Sequence, residues 1–273
     1  RSTLFPYTTL FRSVKLGKIP VTKTSLAPNA INQKAINIRN ILRNRGTSGR
    51  DLKTLLIRCS RHEQTAAQLY VKTEDFPKFS EDEFKKSELD SLEIIYSNPK
   101  SPASIITKRL QKWGIKALQD EILNTRFNYA TEGFFQINLP VYEQALLDMK
   151  SWINHDINVV DLYSGVGSIG LTIGGNNVTL VEINENAVRE MQKNIKILGK
   201  NAKAILAPSE KALEYISKDS LIIVDPPRAG LHKDVIDKLI SEKPKRIIYL
   251  SCNPVTQARD IAKLNLTDRK SVV

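Results

Sequence analysis

The chain has 273 residues, of which 41 are Lys or Arg and 29 are Asp or Glu, so its formal net charge is +12. A chain of this length can bury a sizeable core, and 41% hydrophobic residues exclude a wholly disordered protein. No apolar run approaches the roughly 20 residues that a membrane span requires, so we expect a soluble, globular protein with no membrane partner. The excess of positive charge favours a polyanionic partner.

Both ends of the chain carry unusual sequence. Residues 1–13 read RSTLFPYTTLFRS, which has no helical or strand period, and residues 268–273 read DRKSVV. The first string resembles a translated sequencing adapter, and the second resembles the same adapter read from the opposite strand. We interpret both as artefacts, with a natural disordered tail at each end as the alternative. Without them 37 bases and 28 acids remain, and the net charge is +9.

Most of this charge lies in the stretch from Val14 to His62, which holds eleven bases and a single acid. A solvated helix face normally interleaves acids with bases, so the pattern favours a phosphate-binding surface over a merely solvated one. The candidate contacts on this surface are Arg39, Arg43, Arg45 and Arg50.

The first half, residues 14–130, predicts a small antiparallel α+β domain. Apolar residues at helical spacing from Asn29 to Arg45 predict an amphipathic helix that ends at Gly46. The acidic segment from Glu74 to Glu93 predicts a solvated loop with a short helix. Five strand-like runs are expected, the first two joined by the turn RHEQT: LLIRCS, AAQLYVK, LEIIYS, ASIITK and RFNYA.

The second half, residues 131–267, predicts a doubly wound α/β domain. A helix from Leu139 to Ile153 precedes five apolar strands that alternate with helical stretches: NVVDLY, VTLVEI, KAILAP, SLIIVD and RIIYLS. Near-continuous apolar strands are typical of a parallel sheet that is covered on both faces. Ligands of such sheets bind at the carboxyl ends of the strands, and chemically reactive residues follow each strand here.

The segment DLYSGVGSIG, from Asp161 to Gly170, places GxGxxG directly after a strand. Such a loop can hold the pyrophosphate of a dinucleotide at a helix N-terminus. A carboxylate at Asp161 would repel phosphate, however, and would attract the ammonium and sulfonium groups of S-adenosylmethionine. We therefore favour this methyl donor over a nicotinamide cofactor, with Glu182 binding the ribose diol in either case.

Cys252 is the candidate nucleophile. It follows a predicted strand and precedes a helix that begins near Val255, where helix-end amides favour a thiolate. An inert core role is the alternative, whereas for Cys59, within a predicted strand, we favour a place in the core or on the strand surface. Two cysteines so far apart give no metal or disulfide pattern, which is typical of a protein of the reducing cytoplasm.

Five segments, in this order and spacing, resemble the RNA 5-methyluridine methyltransferase family: GFFQIN, DLYSGVGSIG, VEINENAV, DPPRAG and SCNPVTQARD. The resemblance covers about residues 55–263. It implies a Rossmann-like class I methyltransferase sheet preceded by the small α+β domain. FFQIN resembles the 23S ribosomal-RNA branch of the family more than the transfer-RNA branch.

The resemblance implies an enzyme that methylates C5 of a uridine in structured RNA, with S-adenosylmethionine as cofactor and Cys252 adding to C6. The cofactor contacts are then Gln136, Asp161, Tyr163, Gly165, Ser168, Glu182, Ser209 and Asp225. RNA would be bound by the basic stretch and by Arg228 and Arg259. A surface base or an internal salt bridge is the alternative for each of these last two.

The family's general base lies downstream of SCNP, beyond Thr267, so we assign that role to no residue here. We expect cofactor binding and adduct formation but poor turnover, and an exposed sheet edge where terminal strands would pair. The alternatives are an RNA-binding fragment without turnover, a transfer-RNA enzyme and a nicotinamide oxidoreductase. The segment TSLAP lacks the cysteine of the family's iron–sulfur members, so we expect no cluster, no metal and a monomer.

Overall fold

The computed structural model describes residues 11–14, 17–20, 23–153 and 157–264. Within them the chain divides into two compact units, the first formed by Arg1–Asp120 and Ala130–Glu132, the second by Glu121–Tyr129 and Gly133–Val273. The predicted boundary between residues 130 and 131 differs from this division in two short segments, since Glu121–Tyr129 belongs to the second unit and residues 131–132 belong to the first.

A hairpin of β1 (Phe11–Val14) and β2 (Gly17–Pro20) lies near the start of the chain. Residues 11–13 show no strand period in the sequence but pair with residues 18–20, since a short backbone ladder needs no alternation of apolar side chains. Residues 1–10 and 268–273 lie outside the described residues, so their interpretation as adapter sequence stays a prediction.

The first unit has a four-stranded sheet in the order β3 (Leu52–Cys59), β4 (Thr65–Val71), β5 (Ser91–Tyr96) and β6 (Lys108–Gly114). The prediction of an antiparallel sheet is wrong for one pair, since β4 and β5 are parallel. A parallel pair requires a crossover connection, and the acidic segment that contains α2 (Glu81–Ser87) supplies it.

Helix α1 (Asn29–Asn44) confirms the predicted amphipathic helix, and its apolar face is buried with residues of β4 and β5. The predicted strand ASIITK is wrong, because only its last residue, Lys108, belongs to β6. The Lys53 ammonium donates to the carbonyls of Ser101 (3.1 Å) and Ala103 (2.8 Å), so backbone acceptors in this region bind a lysine side chain rather than a neighbouring strand.

The second unit contains the predicted parallel sheet, so the doubly wound α/β prediction is confirmed. Its strand order is β11-β10-β9-β12-β13, with β9 at the centre. The strands are β9 (Asn158–Leu162), β10 (Val178–Glu182), β11 (Ala202–Leu206), β12 (Ser220–Val224) and β13 (Arg246–Tyr249). Among the described residues, β13 forms one edge of this sheet.

Five helices accompany these strands: α3 (Leu139–Lys150), α4 (Gly170–Ile173), α5 (Glu185–Leu198), α6 (Lys233–Glu242) and α7 (Pro254–Leu264). A separate hairpin of β7 (Leu118–Ile122) and β8 (Thr125–Tyr129) precedes them. No helix in the described ranges combines the length and apolar character needed to cross a membrane.

Strand register brings the candidate residues to one edge of the sheet. Leu162 of β9 is level with Val181 of β10 and with Val224 of β12, which in turn is level with Tyr249 of β13. The residues that follow this row therefore emerge side by side at the carboxyl ends of the strands.

Candidate active site at the carboxyl edge of the parallel sheet

Asp161, on the central strand β9, is fully buried. Its Oδ2 accepts a hydrogen bond from the Gly170 amide at 2.9 Å, whereas its Oδ1 is buried and has no hydrogen-bond partner in the described part of the chain. Burial raises the pKa of this carboxyl to about 8, and the neighbouring carboxylates of Asp225 and Glu182 add to the rise. The site thus has an unsatisfied buried acceptor.

The glycine-rich loop fits closely around Asp161. A Cβ at Gly170 would lie 2.5 Å from the Leu180 side chain and 3.0 Å from Asp161 Oδ2, so only glycine lets its amide approach the carboxylate. Gly165 adopts a φ of +57°, and nothing lies within 4 Å of the position where its Cβ would be. The loop therefore leaves open space at Gly165.

Glu182, the last residue of β10, is held by backbone amides. Its Oε2 accepts from Gly165 N at 2.9 Å and its Oε1 accepts from Asn184 N at 2.7 Å. Asn184 in turn caps α5, since its side chain accepts from Ala187 N. An ionised carboxylate has about four acceptor positions, so both oxygens keep capacity for hydroxyl donors.

Three further candidates follow the neighbouring strands. Asp225 is half-buried after β12, and burial raises its pKa to about 7. Ser209 is buried in a short 3-10 turn that comes after β11. Tyr163 has a φ of +63°, and burial raises the pKa of its hydroxyl, an effect that the nearby Ser209 side chain partly offsets.

Gln136 and Ser168 complete the predicted cofactor contacts. Gln136 is half-buried and follows Phe135, whose ring stacks on Tyr129 with centroids 4.1 Å apart. The Ser168 hydroxyl lies 2.9 Å from the hydroxyl of Tyr142 on α3. Tyr142 is buried, and this burial raises its pKa. No motif in the sequence identified Tyr142, whereas Asn184 carries a recognisable signal as an Asn directly before a helix.

Cys252 is exposed in the short loop between β13 and α7. The start of α7 at Pro254 confirms the predicted helix near Val255. The Ser251 hydroxyl accepts from the Asn253 amide at 3.0 Å and so shapes the turn around the cysteine. The role of Cys252 as a thiolate nucleophile stays a prediction. Burial raises the pKa of the Cys59 thiol, which lies on β3.

The predicted RNA-binding arginines divide into two groups. Arg43, Arg50 and Arg228 are exposed and Arg39 is half-buried. Arg45 instead pairs with Glu83, donates to the carbonyls of Pro77 and Lys78, and lies over the Phe79 ring.

Arg259 also has internal partners, because its guanidinium pairs with Asp260 and donates to the carbonyl of Ala229. The internal salt bridge that the sequence left open is therefore present for Arg259. The described residues contain no group of three or more metal-ligating side chains.

A family model described as tRNA (uracil-5-)-methyltransferase matches residues 100–273. An uncharacterized RNA methyltransferase of Lactobacillus johnsonii is 30% identical over 273 aligned residues, which cover 92% of this chain and 60% of that protein. A second, from Nanoarchaeum equitans, is 39% identical over 165 residues, 59% of this chain and 36% of that protein. The chain thus spans between about a third and three-fifths of these relatives.

Among solved structures, the fold is similar to that of Pyrococcus abyssi tRNA (uracil-54, C5)-methyltransferase in complex with S-adenosyl-L-homocysteine. The TM-score is 0.81 at 23% identity, and the match covers 93% of this chain and 66% of that one. This likeness shows the Rossmann-like methyltransferase fold. Because the family model also matches more than half of its length, the chain belongs to the tRNA (uracil-5-)-methyltransferase family.

Proposed function

We propose that this chain carries the catalytic unit of an enzyme that transfers a methyl group from S-adenosylmethionine to C5 of a uridine in structured RNA. The observation that carries the proposal is the buried, partly unsatisfied Asp161, which shares one sheet edge with Glu182, Asp225 and the Cys252 loop. Family membership supports the same reaction class.

The residues at this edge fit the cofactor, which supplies an electrophilic methyl group on a positively charged sulfur. Two carboxyls with raised pKa values, Asp161 and Asp225, gain from a nearby cation because it favours their ionised forms. Glu182 is fixed by two amides and can accept from ribose hydroxyls. The remaining proposed contacts are Gln136, Tyr163, Gly165, Ser168 and Ser209.

The reaction needs a thiol because C5 of uracil is a weak carbon nucleophile. Addition of the Cys252 thiolate to C6 forms an S–C6 bond and leaves an electron pair at C5. C5 takes the methyl group as the methyl–sulfonium bond breaks. A base then removes the C5 proton, and the C5–C6 double bond re-forms as the thiolate leaves. We assign the base to no residue of this chain.

The proposed RNA contacts are the exposed Arg43 and Arg50 and the half-buried Arg39 in the first unit, and the exposed Arg228 in the second. Such contacts to phosphate give affinity and salt dependence without reading sequence. The target uridine must leave its stack to reach Cys252, so we propose a loop or bulge as the site. The resemblance of FFQIN supports 23S ribosomal RNA as the substrate.

The test uses RNA that contains 5-fluorouridine, incubated with the chain and S-adenosylmethionine. Fluorine at C5 cannot leave as a proton, so the covalent complex should persist on a denaturing gel. We expect Cys252→Ser to abolish the complex and the matched control, Cys59→Ser, to retain it. No complex with the parent chain would favour an RNA-binding fragment, and a complex with transfer RNA but not 23S RNA fragments would reassign the substrate.

A further inference from the structure

Asp260, on α7, is a fully buried carboxylate whose two oxygens are both saturated. Its Oδ2 accepts from the Leu231 amide at 2.8 Å and from the Tyr249 hydroxyl at 2.9 Å. Its Oδ1 accepts from Arg259 Nε at 2.9 Å and from Nη2 at 2.7 Å. One side chain therefore joins three parts of the fold, namely the end of β13, helix α7 and the loop that follows β12.

The loop after β12 is also tied to the Cys252 turn directly. Asn253 Nδ2 and Thr256 Oγ1 both donate to the carbonyl of Arg228 at 3.1 Å. Arg259 Nη2 donates to the next carbonyl, that of Ala229, at 2.8 Å. Three residues of this loop, Arg228, Ala229 and Leu231, are thus hydrogen-bonded to Asn253 or to helix α7.

Gly230 makes this arrangement possible. It has a φ of +85°, and a Cβ there would lie 2.4 Å from Asp260 Oδ2 and 2.5 Å from Arg259 Nη2. The backbone can approach the buried carboxylate only without a side chain. Burial of the Asp260 carboxylate, whose partner Arg259 is 46% exposed, is a costly way to gain stability alone, since well-packed apolar groups often serve as well. Its value here is that it fixes two loops in one geometry.

We propose that Asp260 is a positioning residue that holds the loop 226–231 and the Cys252 turn as one rigid unit, with Arg259 and Tyr249 as its clamps. The inference rests on the proposed function. Asp225 and Arg228 lie at the end of β12 and in the loop that follows it, on one side of Asp260. Cys252 lies in the turn on the other side. Asp260 thereby fixes the position of the Cys252 thiol relative to the groups proposed to bind cofactor and RNA. Arg259 contributes to this positioning through its contacts with Asp260 and Ala229.

The test compares Asp260→Asn and Tyr249→Phe with the control Asp219→Asn, which removes an exposed carboxylate 3.9 Å from Lys245. Three quantities are measured: the rate of adduct formation with 5-fluorouridine RNA, the affinity for S-adenosylmethionine, and hydrogen exchange of residues 226–231. We expect Asp260→Asn to slow the adduct about 100-fold, as a displacement of about 1 Å can. Tyr249→Phe keeps the ion pair between Asp260 and Arg259, so we expect a smaller displacement of the Cys252 turn and adduct formation about 5-fold slower.

In both variants, cofactor affinity should stay within about 3-fold, since misplaced loops act on the reacting geometry rather than on cofactor binding. Exchange in residues 226–231 should accelerate and exchange in β9 and β10 should not. Equal losses of adduct rate and cofactor affinity, or adduct rates that follow only the folded fraction, would overturn the positioning role. If the parent chain forms no adduct, the proposed function fails, and unchanged exchange of 226–231 in both variants would separately overturn the clamp.

Discussion

Buried carboxylates differ in their partners between the first unit and the sheet edge of the second. In the first unit, Glu93 is 3% exposed and pairs with Arg109 and Lys112, and Gln68 donates to it at 2.9 Å. Glu132 lies in the same network, and although burial opposes the effect, Arg109 and Gln68 help to lower its pKa. At the sheet edge of the second unit, Asp161 has no cationic partner among the described residues, and burial raises its pKa to about 8.

This difference separates structural charges from binding charges. A buried carboxylate whose partners are already in the fold stabilises the fold, and one left with a free acceptor is available to a ligand. The comparison therefore predicts that removing a charge in the first unit costs stability, while removing one at the sheet edge of the second costs cofactor affinity.

The largest expected effect is that of Asp161→Asn. The variant keeps an acceptor for the Gly170 amide but loses the negative charge, so we expect S-adenosylmethionine to bind roughly 10- to 100-fold more weakly, the range of one charged hydrogen bond. Titration calorimetry measures this affinity. Unchanged affinity would contradict a role of the Asp161 charge in binding the cofactor.

Asp161 also predicts how the stability of the free protein depends on pH. Its folded pKa of about 8 exceeds its usual value of 3.8, so the stability that it contributes is fully present below about pH 4 and is lost as pH rises through 8. Asp161→Asn should remove this loss. Denaturant unfolding at pH 6 and pH 9 measures the free energy of unfolding of both proteins. We expect this free energy to differ less between the two pH values in the variant than in the parent chain.

Glu93→Gln should have the next largest effect, on stability alone. It leaves Arg109 and Lys112 without their shared carboxylate, and both are partly exposed, so we expect a loss of about 2 kcal/mol in the free energy of unfolding. Cofactor affinity should not change. An equal loss of affinity in this variant would show that the two networks are not separable in function.

Cofactor affinity should fall as pH decreases from 8.5 to 6. A cation favours the ionised forms of Asp161 and Asp225, whose pKa values in the free protein are about 8 and about 7, so binding releases protons. We expect about 10-fold weaker binding at pH 6. Asp225→Asn should flatten the profile between pH 6 and 7, and a pH-independent affinity would contradict the assignment.

The smallest expected effect is on RNA binding, and it distinguishes Arg43, on α1, from Arg45, which directly follows this helix. Arg43 is exposed, so Arg43→Ala should weaken RNA binding about 3-fold and reduce the salt slope by about 1, with stability unchanged. Arg45 is paired with Glu83, so Arg45→Ala should lower the melting temperature and leave the salt slope unchanged. The reverse pattern would reassign the RNA-binding surface.

Local patterns predicted the second unit well, because an apolar run between turn signals is enough to identify each of its five strands. The first unit was less predictable. The parallel pairing of β4 with β5 depends on a crossover, and the coil at Ala103 depends on Lys53, 50 residues away. Neither interaction leaves a periodic signal in the sequence.

The same limit applies to the site. Asp161, Glu182 and Asp225 could be identified because each lies at or directly after the carboxyl end of a strand, and motif spacing pointed to Cys252. Asp260 and Tyr142 could not, since their roles arise from tertiary contacts with Leu231 and Ser168, each more than 25 residues away. Arg43 and Arg45 look alike in sequence, and only the position of Glu83 separates them.

Peptide mapping of the complex with 5-fluorouridine RNA tests the central claim most directly. With S-adenosylmethionine that carries a deuterated methyl group, we predict one modified peptide, which contains Cys252 and bears a fluorinated nucleotide together with the labelled methyl. A nucleotide on the peptide that contains Cys59, or an adduct at Cys252 that never acquires the label, would contradict the account.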